Sequence, residues 1–246
     1  MKIMRLRAGL GNQMFQYAWS RERELLHGEK IKFDASDYWK NIFKRHKDIM
    51  LQRRLGLTDF NTRLPRVWWP TALVSMVTGK YYSFYPYGEF REIRETLLEE
   101  FSLRHPLPPI ADKIRKTPNS VAMHVRRGDY VGNPCVDIVN TDYFNTAIKY
   151  MAKKLKTPTF FLFSDDIDWV LKNLDFGKYP KVVVSGYIPA TDMTLSSLAK
   201  HHIIPNSTFG WWAAWLNRNP HKIVIAPKRW FAHNEMNPAL SEWIKL

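Results

Sequence analysis

Apolar residues in the second half of the chain follow two alternating periods. Short β-rich runs occur at residues 121–125, 159–163, 182–184, 202–204 and 223–226. Between the first two, Phe144, Ala147, Ile148, Met151 and Leu155 recur at helical spacing and share one helix face. Thr141 or Asp142 is the expected cap of that helix, and Pro158 stops the chain before the next run. Trp169, Val170 and Leu174 predict a second, shorter helix, and residues 193–199 and 208–216 predict two more. Strands alternating with helices at this spacing predict a doubly wound parallel sheet, a Rossmann-like α/β domain.

The first half opens in the same way. Residues 2–6 read as a strand, Gly9 and Gly11 as a turn, and residues 12–26 as a helix. Residues 40–110 are rich in Arg and Lys and carry the aromatic stretches Arg66-Val67-Trp68-Trp69-Pro70 and Tyr81-Tyr82-Ser83-Phe84-Tyr85-Pro86-Tyr87. A helical charge pattern covers 89–101. Prolines 106, 108, 109 and 118 mark an interdomain connection, which divides the chain into 1–118 and 119–246.

Composition narrows the function classes. Within 246 residues, 45% hydrophobic and 14% aromatic content exclude a disordered chain. No apolar run approaches the ~20 residues of a membrane-spanning helix. A single cysteine, Cys135, rules out an internal disulfide and fits a reducing compartment, which places the protein in the cytoplasm. The formal net charge of +14 asks for an anionic partner: nucleic acid, a membrane face or a phosphorylated substrate. The cations are dispersed rather than gathered in an arm, which argues against nucleic acid. Trp68 and Trp69, between Arg66 and Lys80, read either as domain core or as a peripheral contact with the inner membrane face.

Three of the predicted strands end in polar clusters. After 121–125, where His124 is the penultimate strand residue, come Arg126, Arg127, Gly128 and Asp129; after 159–163 come Ser164, Asp165 and Asp166; after 202–204 come Pro205, Asn206, Ser207 and Thr208. Ligands of open parallel sheets bind beyond this carboxyl rim. Arginine's fork of donors matches phosphate oxygens, although a local salt bridge to Asp129 explains the pair equally well. Ser207 and Thr208 open a helix whose free N–H groups and dipole favour an anion. Asp165 or Asp166 can accept the paired N–H donors of a base such as guanine. Together these residues describe a nucleoside diphosphate pocket, and Gly11 and Asn12 of the Ala8–Gln13 turn let backbone approach a ligand from the other domain. Asp166-Ile167-Asp168 imitates a metal-binding Asp-x-Asp. Asp168, however, falls on a first helical turn, and the arginines already neutralise phosphate, so no metal is expected.

The set resembles the alpha-1,2-fucosyltransferases of glycosyltransferase family 11. The matching segments are Gly9 to Ala18, His124 to Tyr130, Phe163 to Asp166, His201 to Asn217, Val224 to Pro227, and Trp230-Phe231, in the same order. The resemblance implies a GT-B fold: two Rossmann-like domains facing across a cleft, the C-terminal one binding the donor. It implies GDP-β-L-fucose as donor and inverting transfer to the 2-hydroxyl of a β-galactoside. His124 and Asp165 or Asp166 would read guanine, and Arg126 would grip the diphosphate with Arg127 supporting it. Asn206, Ser207 and Thr208 would complete the diphosphate site. The general base lies between Asp129 and His124, with Asp129 favoured. Departures from the pattern are Ala8 in place of a usual glycine, Pro205 in place of a small residue, Gly210 in place of a common serine, and a short chain. They bear on the acceptor more than on the donor. The alternatives are a GDP-sugar transferase with another acceptor position or sugar, and a basic nucleic-acid-binding protein.

Overall fold

The computed structural model describes residues 2–40, 54–67, 81–82 and 87–246. Trp68, Trp69 and residues 83–86, where the membrane contact was expected, lie outside them. The chain forms two compact units, Met1–His105 and Pro106–Leu246.

The first unit is built on three parallel strands in the order β2-β1-β3: β1 (Lys2–Arg5), β2 (Ile31–Asp34) and β3 (Tyr81–Tyr82). Helix α1 (Leu10–His27) joins the first two, burying Met14, Phe15, Tyr17 and Ala18. It stops where Gly28 takes φ +65° and returns its N–H to the Glu24 carbonyl. Helix α2 (Ser36–Lys40) follows β2. The helix expected over 89–101 is shortened to α3 (Arg94–Glu100), because Phe90 sits at φ +52° and no helix passes through that conformation. Glu100 at its end is buried, and there it accepts from the Tyr17 hydroxyl at 2.8 Å and from the Arg21 guanidinium at 2.8 Å.

The second unit opens with α4 (Ile110–Lys116), where the sequence reading saw only a proline-marked connection. Pro109 occupies the position preceding the helix and Pro118 lies beyond its end, so the prolines bracket an element instead of excluding one. Then follow β4 (Ser120–Val125), α5 (Thr141–Lys154), β5 (Thr159–Ser164), α6 (Ile167–Asn173), β6 (Lys181–Val183), α7 (Pro189–Ser197), β7 (His201–Ile203), α8 (Thr208–Leu216), β8 (Val224–Ala226) and β9 (Ile244–Lys245). Asn140 caps α5 by accepting the Tyr143 N–H at 3.1 Å, one residue before the caps expected.

All six strands run parallel, in the order β6-β5-β4-β7-β8-β9. Strand alternation sends Val121, Met123 and Val125 into one core with Phe144, Ile148 and Met151 of α5. Ala122 faces the opposite core, with Ile114 of α4, Leu195 of α7 and Ala199 just beyond that helix. Trp211, Trp212 and Trp215 of α8 are buried against one another and Trp243. The winding direction reverses between the neighbours β4 and β7, so a crevice opens beyond their carboxyl ends.

Candidate functional site

Three of the chain's polar clusters converge on the carboxyl rim around that reversal. Leaving β4, the Arg126 guanidinium donates from Nε to Asp129 Oδ1 at 3.0 Å, and its Nη1 lies 2.8 Å from Asp165 Oδ2. Asp165, at the end of the adjacent β5, uses its other oxygen to accept the Arg127 backbone N–H at 2.9 Å. One carboxylate thus ties the turn and its key side chain to the neighbouring strand. The contact requires Gly128, because a Cβ there would fall 2.6 Å from Asp165 Oδ2.

Arg127 turns the other way. Its Nε donates to Asp166 Oδ2 at 3.0 Å, and its guanidinium lies 3.9 Å from the centre of the Trp169 ring. Asp166 also caps α6 by accepting the Trp169 N–H at 3.2 Å. Both carboxylates expected to read a base are therefore engaged in holding the arginine turn.

His124 lies on the β4 face shared with Ala122, under the ring of Phe209 at 5.0 Å between centroids. Burial, and then the charge of Arg126, push its pKa down to about 3, so the imidazole is neutral. Its Nδ1 has no hydrogen-bond partner and approaches Gly210 so closely that a Cβ would stand 3.0 Å away.

At the end of β7, Asn206 is buried and points inward. Its Nδ2 donates to the carbonyls of Val136 at 3.0 Å and Trp230 at 2.9 Å, pinning the 131–140 loop and the C-terminal segment to the rim. Ser207 caps α8 by accepting the Phe209 N–H at 3.3 Å, and Thr208 begins the helix. The amino end of α8 faces the rim, presenting first-turn N–H groups and a positive dipole end there. Tyr143 fixes this corner from below, its hydroxyl donating to the carbonyl of Ile204 at 2.5 Å.

Gly11 and Asn12 belong to the first unit, in the first turn of α1. Gln13 shapes that turn: Nε2 donates to the carbonyls of Ala8 and Arg54 at 3.0 Å each, and Oε1 accepts the Gly56 N–H at 2.9 Å. Ala8 itself adopts φ +65°, the conformation for which a glycine is better suited.

Asp192 escaped the sequence reading, which began its helix one residue later. Asp192 and Leu195 are spaced i, i+3 on α7, and Leu195 and Ala199, just past the helix end, pack against Ala122 and Phe163 of the sheet. Asp192 therefore sits one turn above them, on the stripe facing the sheet and at the rim end of the helix. It is half-buried, its Oδ1 has no partner, and burial pushes its pKa up to about 7. An acid on the apolar stripe of a helix was the available signal.

The rim thus offers a held arginine, an open helix amino end, a neutral imidazole and an unsatisfied carboxyl. Comparison with known proteins gives this set its context. The chain is 31% identical to an alpha-1,2-colitosyltransferase of Escherichia coli over 99% of its own length and 98% of that protein's. It is 28% identical to the O-antigen biosynthesis glycosyltransferase WbnK of Escherichia coli over 98% and 99%. Identity to the mouse (Mus musculus) galactoside 2-alpha-L-fucosyltransferase Sec1 is 26%, covering 88% of this chain and 64% of that one. Among solved structures it is similar to the fucosyltransferase NodZ from Bradyrhizobium, with a TM-score of 0.48, 16% identity and coverage of 91% and 94%. The model of glycosyl transferase family 11 matches residues 3–246, taking in every strand end described above, and the chain belongs to that family.

Proposed function

We propose that the protein transfers L-fucose from GDP-β-L-fucose to the 2-hydroxyl of a β-galactoside, with inversion and without a metal ion. The observation that carries this reading is that Arg126, leaving β4, and the amino end of α8, leaving β7, are two cationic devices on the same carboxyl rim, at the two strands between which the winding reverses. A diphosphate placed there meets full charge from one side and helix N–H groups from the other. As the C1–O bond of the sugar breaks, negative charge grows on the β-phosphate, so Arg126 acts most strongly in the transition state.

In this reading guanine is held by His124 and Asp192. The unsatisfied Asp192 carboxyl has two oxygens for the paired N–H donors on one edge of guanine, an edge that adenine and uracil do not share. Asp165 and Asp166 hold the arginine turn in place. Asp129 orients Arg126, and a role as proton acceptor for the acceptor hydroxyl would require it to leave that pair. The acceptor saccharide is assigned to the first unit, which carries Gly11 and Asn12 in the first turn of α1.

The likeness to an alpha-1,2-colitosyltransferase across nearly the whole chain favours a second reading, in which a colitosyl group replaces fucose on the same nucleotide. Calorimetric titration with GDP, UDP and ADP in the presence of EDTA tests the shared part. Selective GDP binding is expected; absence of GDP binding overturns both readings. Turnover with GDP-fucose against GDP-colitose, and the linkage of the product by NMR, then separates them.

A further inference from the structure

We propose that the edge of the second unit opposite the nucleotide rim docks on an anionic phospholipid surface. Because all six strands run parallel, every connection that leads into a strand emerges at the same edge. Three of these connections are strongly basic. Lys113, Arg115 and Lys116 precede β4; Lys153, Lys154 and Lys156 precede β5; Lys172, Lys178 and Lys181 lead into β6. All nine are exposed, and against them the segments 112–119, 153–158 and 172–181 hold two carboxylates, Asp175 and Asp112, the latter 3.6 Å from Arg115.

Helix polarity accounts for part of this pattern, since cations are favoured in last turns. It does not account for Lys156, Lys178 and Lys181, which lie past the helix ends, where the dipole's influence has faded. Carboxylates gather instead at the other end of the strands: Asp129, Asp165, Asp166 and Asp192 all sit on the nucleotide rim. The unit is therefore polarised along its strands.

Two observations favour lipid over nucleic acid as the partner. Binding of single-stranded nucleic acid needs aromatic faces on which bases can stack. The aromatic residues at this edge are already committed: Phe176 and Tyr179 pack against Phe160, and Lys181 lies over Phe176 and Lys154 over Tyr150. The edge also presents Leu171, 43% exposed in the last turn of α6 beside Lys172, an apolar side chain suited to the headgroup boundary. With six residues in β4, the nucleotide rim stands about 20 Å above the docked edge. That height suits an acceptor saccharide extended from a lipid carrier.

The test is co-sedimentation of the full chain with vesicles of phosphatidylcholine alone and of phosphatidylcholine with phosphatidylglycerol. Parent protein is expected on the phosphatidylglycerol vesicles only, and to be released by salt as the screening length falls to about 3 Å at 1 M. Each cation is worth about fivefold in vesicle affinity, so removing three and replacing them with carboxylates in K153E/K154E/K156E should lose at least about 100-fold. The separate triple variant K172E/K178E/K181E should lose as much, and it keeps the test decisive should the first variant fail to fold. Melting curves confirm folding of both, independently of any nucleotide. Folded variants that sediment like the parent overturn the proposal, as does a parent indifferent to phosphatidylglycerol. Tighter binding to a single-stranded oligonucleotide, lost in the same variants, overturns it in favour of nucleic acid.

Discussion

Arg126 Nη1 and Asp165 Oδ2 meet at 2.8 Å across the ends of two adjacent strands, and the contact exists because residue 128 has no side chain. The arginine is held by the end of the adjacent strand as well as by Asp129 of its own loop. Gly128→Ala drives a Cβ into Asp165 and releases the turn. The expected result is weakened GDP binding by calorimetry with the melting temperature nearly unchanged, since residue 128 lies outside the buried core. Parental affinity in the alanine variant would show that the clamp does not organise the site.

Arg126 is assigned the charge that builds on the departing diphosphate. Loss of one preorganised donor of this kind costs about 2.7–4 kcal/mol, or 10²–10³ in kcat. Arg126→Ala is expected to fall in that range in a turnover assay. Asp129→Asn keeps a neutral hydrogen-bond partner for Arg126, so its loss should be smaller, with the acidic limb of the pH–rate profile retained. Disappearance of that limb would make Asp129 the proton acceptor.

With Asp192 reading guanine as proposed, nucleotide affinity is expected to depend on pH. Only the ionised carboxylate accepts both guanine donors, and burial holds its pKa at about 7. The Kd for GDP should therefore rise about tenfold for each pH unit below 7. His124 is already neutral, with a pKa of about 3, and contributes nothing to this limb. Asp192→Asn should remove the pH dependence and weaken GDP by about 1.5–3 kcal/mol. The same group acts on stability in the opposite sense. A carboxyl whose folded pKa is raised from 3.8 stabilises the fold in its protonated form, and that contribution is lost as pH rises through 7. The asparagine variant should melt above the parent at pH 8, with the gap closing toward pH 4.

Ala8 pays a conformational cost at φ +65°, held there by the Gln13 amide and the Tyr38 hydroxyl, both of which donate to its carbonyl. Ala8→Gly should stabilise the protein by about 1 kcal/mol, seen as a rise of about 2–4 °C in Tm. No gain would mean that the turn relaxes in solution.

What could be read in advance follows the physics of burial. Strands β4, β5, β7 and β8 are apolar runs buried on both faces, β6 is an apolar run at the sheet edge, and all five formed within a residue or so of the expected bounds. Placing Arg126, Asp165 and Ser207 at one rim needed only the rule that parallel strands end together. Their partners were not legible: Asp165 meets the Arg127 N–H across 38 residues, and nothing local separates an aspartate that reads a base from one that braces a turn. Asn206, placed at the site by its position in the chain, spends its Nδ2 on two backbone carbonyls while its buried Oδ1 has no hydrogen-bond partner. Strands β2 and β9 carry too few apolar positions to announce themselves, and α4 hid behind prolines that in fact delimit it.

The uniform strand direction of the second sheet also separates two traits that many enzymes must trade against each other. Changes in the segments that leave strands alter which donor is used and how fast. Under the docking proposed above, changes in the segments that enter strands would leave the donor rim alone and alter only the surface on which the protein docks. A lineage could therefore move such an enzyme from one surface to another without relearning its chemistry, and an engineer can do the same by exchanging residues 153–158 and 172–181 alone.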